Sequence, residues 1–160
     1  NADLDTIVLS YPYAFNDGLL GTQRPYHITD VYDVCSCRKN NKISSNVRKF
    51  FSGPCMKLIP MNFIQERRFD VRFNNGEDSL FMFLISDKIK NLRFTSRDAI
   101  YYRRYRVNSA VTIKRSRWYK IKNASKLIIC YTSMFFSLPL KYNFIFFITR
   151  LLGAVKYMLY

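Results

Sequence analysis

Acidic side chains are scarce in this 160-residue chain, where 11 Asp and Glu stand against 26 Lys and Arg, a formal charge of +15. The shortage is uneven. The last carboxylate is Asp98, and twelve Lys and Arg follow it with no acid among them. Such a segment seeks phosphate-bearing partners: a nucleotide, a nucleic acid or an anionic lipid surface. His27 is the only histidine, and the segment around it offers no partner carboxylate at an obvious spacing. The four cysteines, Cys35, Cys37, Cys55 and Cys130, do not make a disulfide framework in a chain of this size. Cys35-x-Cys37 with Cys55 and His27 matches no zinc signature, so free thiols in a reducing compartment are expected.

An uninterrupted apolar run of membrane-spanning length is also missing. Leu127 to Leu140 is uncharged but contains Pro139, Lys141 interrupts, and Tyr142 to Thr149 follows before Arg150. A spanning helix needs roughly 20 predominantly apolar residues. There is no internal repeat, no low-complexity segment, no secretory signal and no initiator Met. Asn1-Ala2-Asp3-Leu4-Asp5 leads directly into a strand-like run, as in a chain cut from something longer.

What is present is apolar and aromatic. Hydrophobic residues make up 49% of the chain, with 12 Tyr and 14 Phe. That rules out a disordered polar chain and provides for one domain with a real core. Thr6 to Tyr11 reads as a strand stopped by Pro12, with a loop over 14–25 and a second extended segment from Tyr26 to Val34. Arg38 to Ser45 is polar and basic, an exposed loop. Val47 to Phe51 reads as a short helix, Lys57 to Pro60 as a short apolar piece, and Asn62 to Gln65 as a helical turn. Phe69 to Phe73 alternates with period two, as an edge strand does. Asn74-Asn75-Gly76 then turns into a buried helix from Glu77 to Lys88. Ile89 to Phe94 and Ala99 to Tyr105 are further strand candidates, and the pattern favours helices from Val111 onward.

Three pieces in order carry a resemblance. They are Gly53-Pro54-Cys55-Met56-Lys57-Leu58-Ile59 with Asn62-Phe63-Ile64; Phe69 to Phe73 running into Gly76-Glu77-Asp78-Ser79-Leu80-Phe81; and Tyr101-Tyr102-Arg103-Arg104-Tyr105-Arg106 with Asn108 to Val111. Together they resemble the second half of bacterial family 2 glycosyltransferases, the GT-A enzymes that build capsular and surface polysaccharides. The resemblance covers residues 1–113. It implies an α/β fold: the acceptor-side half of a Rossmann-like GT-A domain, followed by a basic amphipathic helical tail over 114–160. Asp3-Leu4-Asp5 fits the family's metal-binding Asp-x-Asp pattern but precedes a strand, whereas the family's motif closes one. The chain therefore looks as if it starts after the donor-binding half, and is expected to be inactive alone. Mg²⁺ or Mn²⁺ is implied for the full enzyme, with its ligands mostly outside this chain.

An inverting sugar transfer needs a base for the acceptor hydroxyl and positive charge for the departing diphosphate. The resemblance assigns the base to Asp78, with Glu77 beside it. On position alone, both are equally the acidic first turn of a helix, where the helix dipole favours a carboxylate. Arg103, Arg106 and Ser109 are candidates for the diphosphate, because guanidinium forks match phosphate oxygens and a hydroxyl adds a donor. Lys57 resembles the family's lysine near the acceptor cleft. The bland alternatives are a basic strand edge and an ordinary surface lysine.

The implied partners are a nucleotide-diphosphate sugar, a glycan or lipid-linked acceptor and an anionic membrane surface. The implied location is cytoplasmic, peripheral at the inner face of the membrane. The tail reads equally as helices packed on their own domain. Two rival classes remain: a basic nucleic-acid-binding module, although the standard signatures are missing, and a non-catalytic membrane-surface protein.

Overall fold

A computed structural model describes residues 4–37, 43–44, 46–106 and 113–159. It is a mixed α/β structure with small mixed sheets and more helix than strand. The chain forms two compact units and crosses between them repeatedly. The last crossing falls at 114/115, and residues 60–89 belong to the same unit as residues 115–160.

The first unit takes in Asn1–Phe50, Cys55–Ile59 and Lys90–Lys114. Its strands are β1 (Thr6–Leu9), β2 (Tyr11–Asn16), β3 (Lys57–Leu58), β4 (Asn91–Phe94) and β5 (Ile100–Tyr105), with helix α1 (His27–Ser36) between β2 and β3. Strand β1 lies between β3, antiparallel, and β4, parallel, with Val8 opposite both Leu58 and Arg93. Strands β2 and β5 form a separate parallel pair, Tyr13 opposite Tyr102.

Three expectations for this unit are corrected. Pro12 does not stop the strand, and the expected loop is strand as far as Asn16. Strand β5 is the only named strand beside β2, whose other side carries a single bridge from Phe15 to Gln23, so a residue with no N–H to give is tolerated at Pro12. The stretch expected to be extended from Tyr26 to Val34 is instead α1. Ile28, Val31, Tyr32 and Cys35 are buried at helical spacing, and that period outweighs the β-propensity of the individual residues. The helix is pinned by Thr29 Oγ1, which donates to Pro12 O at 2.9 Å, and by Tyr32 Oη, which donates to Thr95 O at 2.6 Å. Ile7, Leu9, Ile28, Phe50 and Leu92 make the core.

The second unit takes in Phe51–Pro54, Pro60–Ile89 and Arg115–Tyr160. It contains the one-turn helix α2 (Met61–Ile64), α3 (Glu77–Leu84) continued by a 3-10 turn (Ile85–Lys88), and the long helices α4 (Arg117–Ser137) and α5 (Phe144–Leu159). The period-two segment from Phe69 to Phe73 is not a strand. It is turn and irregular chain, held by the Phe69 ring stacked on Phe81 at 4.2 Å. Alternation without a partner strand makes no sheet.

Helix α4 starts where Ser116 Oγ accepts from Tyr119 N at 3.2 Å, and Pro139 follows its end. Helix α5 starts where Asn143 Oδ1 accepts from Phe146 N at 2.9 Å. Rings fill the space between α3, α4 and α5. Phe83 lies 4.9 Å from Tyr142, 5.2 Å from Tyr131 and 5.6 Å from Phe146, and Phe135 stacks on Phe147 at 4.2 Å. Arg67 donates to Leu84 O and to buried Asp87, both at 2.8 Å, tying the chain after α2 to the end of α3. Among the described residues no helix is long and apolar enough to cross a membrane.

Candidate functional site

Gly76 is the residue before α3, with φ +91°, a left-handed conformation that glycine adopts without strain. Its side-chain-free Cα also lets α4 come close, because a Cβ there would lie 2.7 Å from Leu127 Cδ1. Glu77 and Asp78 follow as the first two residues of the helix, and no side chain caps it. Leu80 to Phe83 are buried, so the helix is locked while Asp78 remains exposed at its start. Across from it a Cβ built on Gly53 would stand 3.4 Å from Asp78 Oδ2, in van der Waals contact. The Gly53-Pro54 turn thus borders the carboxylate. Glu77 Oε2 is buried and has no hydrogen-bond partner among the described residues.

The tail holds this turn in place. Asn123 Nδ2 donates to Asn75 O at 2.9 Å, and Asn75 Nδ2 donates to Tyr157 Oη at 2.9 Å. The Ser79 and Tyr131 hydroxyls share a hydrogen bond of 2.8 Å, and Arg150 Nη1 donates to Ser79 Oγ at 3.0 Å. Burial raises the Tyr131 pKa, opposed by the Ser79 hydrogen bond and the nearby Arg150 charge. These residues border a recess of about 220 Å³. A second recess of about 230 Å³ is basic, with Arg72, Lys122 and Lys126 in its lining. Sequence reading missed this network, because its members are 48 to 82 residues apart in the chain.

The other candidates lie in the first unit. Lys57 sits on β3 and donates to Cys55 O at 2.8 Å. Arg103 is half-buried on β5, donates to Tyr26 Oη at 2.9 Å and lies over the Tyr26 and Tyr105 rings at 4.9 and 5.1 Å. A guanidinium held this way is first of all a structural cation. Burial raises the Tyr26 pKa, with the Arg103 charge opposing. Arg106 is exposed just past β5. Ser109 lies outside the described residues. His27 opens α1. Its imidazole is held below the usual pKa first by partial burial, then by the Lys49 and Arg103 charges.

One pair in this unit was not anticipated. Tyr101 is hydrogen-bonded to the Cys55 thiol, which together with burial pushes the phenol up to about 12. Between Cys55 and Lys57, Met56 is buried at φ +65°, a strained conformation for a side-chain-bearing residue. All four cysteines are free.

Among the described residues no three His, Cys, Asp or Glu converge, and Asp5 is engaged by Lys90 at 3.0 Å. No chemical step is therefore assigned to a metal on these residues. No protein-family model matches the chain, and comparison with curated proteins and with solved structures finds no match either.

Proposed function

We propose that the chain is the acceptor side of a family 2 glycosyltransferase, with Asp78 as the catalytic base. One observation carries the reading. Asp78 is an exposed carboxylate at the start of a helix whose next four residues but one are buried core, with the Gly53-Pro54 turn of the resembling motif against it. An exposed base on a rigid element is what proton abstraction from an acceptor hydroxyl requires.

In the proposed reaction Asp78 takes the hydroxyl proton as that oxygen bonds to the anomeric carbon of the donor sugar. The anomeric carbon–oxygen bond breaks on the opposite side, and the nucleoside diphosphate leaves with the electron pair. The configuration inverts. Glu77 orients the base or touches the acceptor. Arg106, Arg103 and Ser109 are the proposed diphosphate contacts and Lys57 an acceptor contact. The recess lined by Lys122 and Lys126, beside an Arg72 that is paired with Asp70, supports a phosphate-bearing, lipid-linked acceptor. That acceptor fits a protein lying at the inner membrane face.

The test is release of nucleoside diphosphate and labelling of a lipid-linked acceptor by the full-length gene product. Asp78→Asn is expected to lower transfer about 10²- to 10⁴-fold, the usual worth of a general base, with an unchanged circular dichroism spectrum. Transfer retained in that variant overturns the assignment.

A further inference from the structure

The two tail helices carry apolar side chains on the sides that face solvent as well as on those that face the core. At 3.6 residues per turn, Trp118, Ile129 and Phe136 fall on one line of α4, opposite the buried Ala124, Leu127 and Tyr131. On α5 the inward arc holds Phe146, Phe147 and Ala154. The outward arc holds Phe144, Ile145, Leu152, Val155 and Leu159, each 42% or more exposed. At the turn between the helices Leu140 is fully exposed, next to Lys141. Lys156 stands at the edge of the outward arc of α5. A water-facing helix normally puts its polar residues outside, so a run this long marks a contact surface.

We propose that the outward faces of α4 and α5 dock on a bilayer containing anionic lipid, with Lys141 and Lys156 at the headgroups and the α5 arc among the upper acyl chains. Charge decides between occupants. A second copy would bring another +15 and repel the first. Anionic headgroups complement the stretch from Arg115 to Tyr160, which carries eight Lys and Arg and no acid. The arc also has the right shape. Sixteen helical residues make a straight apolar strip of about 24 Å, which suits a helix lying in the interface plane. The inference deepens the membrane placement proposed above and does not depend on sugar transfer.

Flotation with vesicles tests it, using phosphatidylcholine alone and phosphatidylcholine mixed with phosphatidylglycerol. The purified protein is expected to float with the mixed vesicles, less so as salt rises. Emission of Trp118, the only tryptophan, is expected to shift to the blue. Phe144→Gln with Leu152→Gln is expected to weaken binding about tenfold or more without altering circular dichroism, since both side chains are exposed. Lys141→Glu with Lys156→Glu should weaken it and flatten its salt dependence. Asp78→Asn should bind vesicles like the parent, so failure of docking and failure of the transferase reading are separately visible. Absence of flotation, or flotation unchanged in the Phe144/Leu152 variant, overturns the proposal. A dimer in solution that the same variant dissolves overturns it in favour of a second copy.

Discussion

Leu127 of α4 packs so closely on Gly76 that a single added methyl would sit 2.7 Å from its Cδ1. The turn that presents Glu77 and Asp78 is therefore shaped by a residue of the tail, 51 positions downstream of Gly76.

Gly76→Ala should accordingly destabilise the protein twice over, through its positive φ and through the clash. About 2 to 4 kcal/mol is expected from strain and overpacking together, read as a lower midpoint in urea. Gly76→Ala combined with Leu127→Ala relieves the clash but not the backbone strain. The double variant should thus lose less than the sum of the two single changes.

Arg67 and Asp87 form a paired contact with the Asp87 side chain only 3% exposed and Arg67 24% exposed. Asp87→Ala leaves the guanidinium without its acid and should cost roughly 2 to 3 kcal/mol. That is below the value for a fully buried pair, since water still reaches Arg67. Urea denaturation measures it, and a loss under 0.5 kcal/mol, the usual spread of surface changes, would show the pair to be unimportant.

His27 gives the protein a pH dependence near neutrality. Its folded-state pKa is lowered, chiefly by partial burial, so the unfolded chain binds the proton more readily. Stability is fully present above the unfolded value of about 6.5 and falls as pH drops through it towards the lower folded value. His27 is the sole histidine. His27→Gln should flatten the melting temperature between about pH 7 and 5.5, and an unchanged slope would show that another group is responsible.

Arg103 and Arg106, proposed for one role, should separate in a stability measurement. Arg103→Ala removes a hydrogen bond to Tyr26 and contacts with two rings, and should cost on the order of 1 to 2 kcal/mol. Arg106→Ala, at an exposed position, should leave stability within about 0.5 kcal/mol. If both also bind diphosphate, sugar transfer falls in each. Transfer unchanged in Arg106→Ala would remove Arg106 from the proposed diphosphate contacts.

The sequence determined what local pattern can determine. The glycine turn into α3, the acidic start and buried body of that helix, the strands β4 and β5 and the interruption at Pro139 were all legible, because period and turn chemistry act over a few residues. It misled where neighbours decide. The β-formers of Tyr26 to Val34 became helix because Ile28, Val31, Tyr32 and Cys35 bury one face, and Phe69 to Phe73 found no strand to pair with. Only the tertiary structure decided what surrounds Asp78. Gly53 against its oxygen, Leu127 on Gly76, and Asn123 and Tyr157 on Asn75 come from segments far apart in the chain. Such contacts are specified by the packing of whole faces and leave no short-range signal. The same reason explains the tail. Its composition announced a basic, apolar helical tail, but only the packing of Phe83, Tyr131, Phe135 and Phe147 fixed which sides of α4 and α5 turn inward and which stay exposed.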